Sequence, residues 1–196
     1  MLPQLIPLIL FGVAAGFSPG PNNIVTSHSA FNFGFKKTIP TMLGVVSGWT
    51  LLSIFLVYGS GILFTNFKHL QIIIKISGSA YLLFLAYKIS FIKIKTKTKI
   101  KKPVNFLNTF FFQFVNPKSI IAGSTAVSLF IDTEINFLRD SIIFVVLMFL
   151  IAIGSQITWC LMGTYLRKYA TSEKFINNFN YSMSFLLIVC VILFYV

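Results

Sequence analysis

Six apolar stretches joined by short polar or basic connections make up nearly the whole chain: Leu2 to Phe35, Ile39 to Leu63, Gln71 to Phe91, Val104 to Ile131, Ser141 to Tyr165 and Phe179 to Val196. Each intact one approaches the roughly 20 residues that a helix needs to cross a hydrocarbon core. Two are interrupted, the first by Ser18-Pro19-Gly20-Pro21-Asn22-Asn23 and the fourth by Asn116-Pro117-Lys118. Backbone groups freed by a break inside a bilayer are costly unless protein or a water-filled cavity satisfies them. Corresponding breaks in two halves of a chain therefore predict a polar site near mid-membrane.

This pattern predicts an all-α membrane protein of six transmembrane helices. Three spans precede a lysine-rich linker, three follow it, and the first of each set carries the break. Because three is odd, the halves enter the membrane from opposite sides, which gives two inverted three-helix repeats. The expected organisation is one integral membrane domain over residues 1–196, with repeat 1 at about 1–91, the basic linker at 92–103 and repeat 2 at about 104–196.

Composition narrows the class. Hydrophobic residues form 56% of the chain and charged ones 10%, with a mean hydropathy of +0.86, against about 25% charged in soluble domains. Nothing remains to build a nucleotide-binding fold or a DNA-reading module. The net charge of +12 reads as topology, since lysine and arginine mark cytoplasmic loops. Lys36 and Lys37, the run Lys88, Lys93, Lys95, Lys97, Lys99, Lys101 and Lys102, and Arg167, Lys168 and Lys174 put three connections in the cytoplasm. The connections carrying Lys68 and His69, and Asp132, Glu134, Arg139 and Asp140, then lie outside with both termini, N-out and C-out. The linker suits an anionic leaflet, so the expected partner is the lipid bilayer and not nucleic acid. Ala14-Ala15-Gly16 resembles a signal-cleavage site, but no positive segment precedes the apolar run and cleavage would destroy the first span, so retention is expected. Cys160 and Cys190 lack CxxC spacing, and neither a metal nor another cofactor is expected.

The run Pro19-Gly20-Pro21-Asn22, then Gly34, Gly44 and Gly48, Gly78-Ser79-Ala80-Tyr81-Leu82, and Asn116-Pro117-Lys118 together resemble the LysE/RhtB family of amino-acid exporters. The resemblance covers about Phe11 to Phe130 and thins after Ile131. It implies a bacterial inner-membrane protein that exports amino acids or related small metabolites. Export and the amino-acid class come from the resemblance alone.

Proline fits the first turn of a helix, and glycine or asparagine the position before it. Gly20 thus precedes a half-helix starting at Pro21, and Asn116 one starting at Pro117, each aiming a positive dipole end at mid-membrane, where a carboxylate can bind. The candidate substrate-binding residues are Ser18, Pro19, Gly20, Pro21, Asn22, Asn23, Asn116, Pro117 and Lys118; the plainer reading is that the prolines only kink packed helices. Lys118, deep in its span, has two open roles: countering a substrate carboxylate, or pairing with carbonyls bared by the first break. None of the four acidic residues falls inside a span, so His28 and Lys118 are the candidates for proton coupling; a structural, hydrogen-bonded His28 is the alternative. Gly44-Val45-Val46-Ser47-Gly48 is a GxxxG element for close helix packing, and Gly78 extends that role. A homodimer through the glycine faces is left open. Gly154, Ser155, Gln156 and Thr158 form a polar cluster suited equally to packing or to lining a path.

Without an intramembrane carboxylate, neutral or small polar amino acids are favoured over cationic ones. Two other classes compete with a secondary transporter working by alternating access. A membrane thiol–disulfide electron carrier needs a cysteine at each break, where this chain has serine, asparagine and lysine. A channel needs a continuous polar ring. Hydrolytic or metal-dependent catalysis lacks components, so an enzyme is not expected.

Overall fold

A computed structural model describes residues 5–59, 68–90, 103–131, 137–169 and 172–193. Among the described residues there are eight α-helices and no strand: α1 (Leu5–Phe17), α2 (Pro21–Phe33), α3 (Phe35–Gly59), α4 (Lys68–Ser90), α5 (Phe106–Phe112), α6 (Pro117–Phe130), α7 (Phe137–Lys168) and α8 (Glu173–Leu193). Three are individually long and apolar enough to span a membrane: α3, α7, and α8 over Glu173–Ile192. Helices α1 and α2 meet that standard together, as one span bent by 51°. Residues 92–102 of the basic linker, and Asp132 and Glu134, lie outside the described residues.

Both breaks follow from backbone chemistry. Ser18 precedes a proline, which disfavours the helical region at that residue, and Gly20 is fully extended (φ −174°, ψ 172°) before Pro21 opens α2. After α5 the chain tightens into successive three-residue turns, with Gln113, Phe114 and Val115 N–H donating to the Phe110, Phe111 and Phe112 carbonyls at 3.3, 3.1 and 3.1 Å. Pro117 then restarts the helix, capped by the Asn116 side chain, which accepts from Lys118 N–H at 3.2 Å. The first apolar stretch does not run unbroken from the proline motif to Phe35. At Gly34 the backbone takes φ +86°, a left-handed value that favours glycine, and the chain turns directly into α3.

Apolar side chains divide between lipid and core. Ile6 (69% exposed), Leu10 (65%), Phe111 (62%), Leu138 (63%) and Phe185 (64%) point outward, an apolar exterior that only a hydrocarbon solvent suits. Inside, one cluster joins Ile24 and Val25 of α2 to Leu82, Leu85 and Ala86 of α4, Phe112 of α5 and Leu187 of α8. A second joins Leu8 of α1, Val57 of α3, Ala126 of α6, and Phe144 and Met148 of α7. Each draws on both halves of the chain.

Missing Cβ atoms set the closest approaches. A methyl group on Gly44 would run into Thr109 Oγ1 and the Phe106 carbonyl, and one on Gly48 would lie 2.5 Å from the Phe110 carbonyl, so α3 lies backbone to backbone on α5. A Cβ on Gly78 would strike the Val115 carbonyl and Pro117, which seats α4 on the second break. Gly44, Gly48 and Gly78 are thus taken up by contacts within the chain. Gly163 of α7 likewise admits the Ser27 carbonyl of α2.

Candidate functional site

At the end of α1 every carbonyl from Ala14 to Pro19 has a donor. Ser18 N–H and Oγ donate to the carbonyls of Ala14 (3.2 Å) and Ala15 (2.9 Å). Gly16 O accepts from Asn23 Nδ2 at 2.8 Å and Ser155 Oγ at 2.7 Å. Phe17 O accepts from Trp159 Nε1 at 3.3 Å. Ser18 O accepts from Asn23 Nδ2 at 2.9 Å and Lys118 Nζ at 3.2 Å, and Pro19 O from Lys118 Nζ at 3.2 Å. Buried backbone requires this accounting, and here α2, α6 and α7 supply it.

Lys118 takes the second of its two open roles: its ammonium contacts Ser18 Oγ at 2.8 Å as well as both carbonyls. This charge has no carboxylate partner among the described residues. Among the described residues the one ion pair is Arg139 Nε with Asp140 Oδ1 at 3.1 Å, at the start of α7.

Two amide networks brace the breaks. Asn22 and Gln113 exchange a reciprocal pair at 2.9 and 3.0 Å, and Gln113 also donates to Thr109 O at 2.9 Å and accepts from Ser119 Oγ at 3.2 Å. Asn23 Oδ1 accepts from Gln156 Nε2 at 2.9 Å and Ser155 Oγ at 3.3 Å, while Gln156 Oε1 accepts from Thr26. Ser155 and Gln156 therefore belong to the site. Gln113, Ser119 and Trp49 are additions that periodicity did not single out; the signal for Gln113 is an amide in an apolar run, which must find a partner.

A cavity of about 90 Å³ opens between the breaks. One water needs about 10–15 Å³ on this scale, so there is room for a small polar solute. Gly20, Pro21, Asn22, Asn23, Asn116 and Lys118 line it, with Ser119, Ser155, Gln156 and Trp49 around them and apolar residues of α1 and α7 closing one side. Ser18, Pro19 and Pro117 frame it from behind without lining it. The two helix starts differ. Asn116 caps α6, whereas α2 has no side-chain cap, so the Asn22 and Asn23 N–H groups precede the first intrahelical bond and carry the positive end of the dipole.

His28 is not among the lining residues. It is buried at 3% exposure, its side chain hydrogen-bonded to Asn180 of α8, and its Nε2 has no partner among the described residues. Cys160 and Cys190 are free thiols, Cys160 packed with Ala30 and Met42, and Cys190 against a separate cluster. Neither lines the cavity.

An all-helical chain sheathed in aliphatic and aromatic side chains, with its polar groups gathered at two helix breaks, has the construction of a multi-pass membrane transporter. The family model described as LysE type translocator matches residues 13–196, and the chain belongs to that family. The match extends through the second half, beyond the reach of the motifs. Among curated proteins the chain is similar to those named cysteine/O-acetylserine efflux protein: 27% identical to that of Escherichia coli O139:H28, 28% to that of Salmonella typhimurium strain LT2 and 26% to that of Escherichia coli strain K12. Each alignment runs over 196 residues and covers 98% of both chains. No solved structure matches the chain.

Proposed function

We propose that the protein is a secondary transporter that exports small neutral or polar amino acids across the bacterial inner membrane, by alternating access around the cavity between the breaks. The observation that carries this reading is the cavity itself: two interruptions 96 positions apart, Pro21 and Pro117 opening their helices, meet around one polar space with a lysine that has no carboxylate partner among the described residues. The solute's carboxylate binds Lys118 and the uncapped start of α2. The Asn22 and Asn23 main-chain N–H groups and Asn116 orient it, with Ser18, Pro19, Gly20, Pro21 and Pro117 shaping the site. Among the described residues no acidic side chain lines the cavity, which disfavours cationic amino acids.

The framework is a six-span inverted repeat forming one domain. In its favour, equivalent helices of the two halves pack on each other, α3 on α7 and α4 on α8, and each half's leading helix packs on the other's second span, α1 on α7 and α5 on α3. That is the pairing a pseudo-two-fold axis in the membrane plane generates. The loop charges favour N-out, C-out. For proton coupling, Lys118 is at the cavity, whereas His28, further along α2, is buried away from the lining.

Efflux from proteoliposomes tests the function. Radiolabelled cysteine, O-acetylserine, serine and lysine are loaded with and without a pH gradient. Saturable efflux of the first three, accelerated by the gradient, is the expected result. Lysine efflux alone, or none of any solute, would overturn the reading.

A further inference from the structure

Three oxygens of the first break converge on the Lys118 ammonium: Ser18 Oγ at 2.8 Å, and Ser18 O and Pro19 O each at 3.2 Å. Ser18 Oγ donates its own proton to Ala15 O, so it faces the ammonium with lone pairs only. A primary ammonium has three donors, and the cradle offers three acceptors. All are neutral, two being carbonyls of unwound backbone, the kind of group that holds cations in broken membrane helices. Gly20 keeps the approach open, since a Cβ there would stand 2.7 Å from Nζ. Nothing in this geometry depends on the ammonium belonging to a lysine.

We propose that these three oxygens are the subsite for a primary ammonium on the carried solute, and that Lys118 occupies it as a built-in surrogate in this conformation. The inference rests on reading the cavity as a transport site and names how that site recognises its ligand. An amino acid brings both groups needed for the exchange: its carboxylate draws Lys118 off the cradle, and its ammonium takes the three oxygens. Three hydrogen bonds to an ammonium exist before and after, one ion pair forms, and no proton moves. An amine without a carboxylate has nothing to draw Lys118 away. A carboxylate without an amine leaves the part-buried Ser18 oxygens without their ammonium donor, at a cost.

Binding of ethylammonium to the purified full-length protein in detergent tests this, read by tryptophan fluorescence, because Trp49 lines the cavity and Trp159 bonds Phe17 O beside the break. Lys118→Ala should bind ethylammonium at least about tenfold more tightly than the wild type, and adding Ser18→Ala should remove about that factor, as expected for hydrogen bonds to a charged donor. Tetramethylammonium, which has no N–H, should gain nothing. Equal ethylammonium affinity in wild type and Lys118→Ala, no effect of Ser18→Ala, or an equal gain for tetramethylammonium would each overturn the proposal. If Lys118→Ala fails to insert, Lys118→Met, which also donates no hydrogen bond, is read in the same way. The probe carries no carboxylate and the readout is binding, so the outcome is separate from whether amino acids are exported.

Discussion

Lys118 shows how much one position can carry. Its side chain ties α6 to the first break through three contacts and puts a positive charge at the cavity. Lys118→Met should lower transport roughly ten- to hundredfold, the scale of losing hydrogen bonds to a charged group, while the protein still inserts; wild-type efflux from that variant would remove Lys118 from the site. Asn23 is the structural counterpart, fully bonded on both amide atoms. Asn23→Val strands Gln156 Nε2 and leaves Gly16 O with Ser155 Oγ alone, at about 1–3 kcal/mol for a buried group left unsatisfied, and should lower the thermal midpoint in detergent; an unchanged midpoint would deny the network its bracing role. At this scale the prolines and their caps were legible in the sequence because local sterics dictate them. The partners were not. Gln113 and Gln156 meet Asn22 and Asn23 across 91 and 133 positions, and no local pattern encodes that, so Lys118 stayed open between carboxylate and carbonyls.

Elements are where glycine decides geometry. Gly78 has the Val115 carbonyl and Pro117 against it, whereas a Cβ on Gly154 in α7 would meet only Phe17 Cζ at 3.5 Å, an ordinary contact. Gly78→Ala should therefore destabilise by about 1–3 kcal/mol through overpacking. Gly154→Ala should be neutral or stabilise by up to about 1 kcal/mol through helix propensity. Thermal melts of the two variants side by side check this; equal shifts would mean that the close approach of α4 to the second break is not constraining. Hydropathy marked where apolar stretches lie but not where helices stop. Helix α7 runs from Phe137 to Lys168, past both ends of its apolar stretch, because main-chain hydrogen bonding continues where the side chains turn polar. Asp140 in its first turn and Arg167 and Lys168 in its last suit its dipole. The break before α2 was readable from two prolines, but the turn at Gly34 depends on a positive φ that a single glycine does not announce.

For the whole molecule, helices from both halves enclose the polar groups, and the proposed orientation follows from charge in the connections. In a background with Cys160 and Cys190 replaced by serine, a single cysteine at Lys36 should react with an impermeant thiol reagent only from the cytoplasmic side, and one at Arg139 only from outside; the reverse pattern would invert the proposed orientation. The central claim is that the two breaks bound one solute together. Single cysteines at Ala15, on α1, and Ser119, on α6, both lining the cavity, test it most directly through protection from thiol labelling by O-acetylserine. The account predicts that both positions are shielded with the same half-protecting concentration. Shielding of one position alone, or of neither in a protein that still transports, would contradict it.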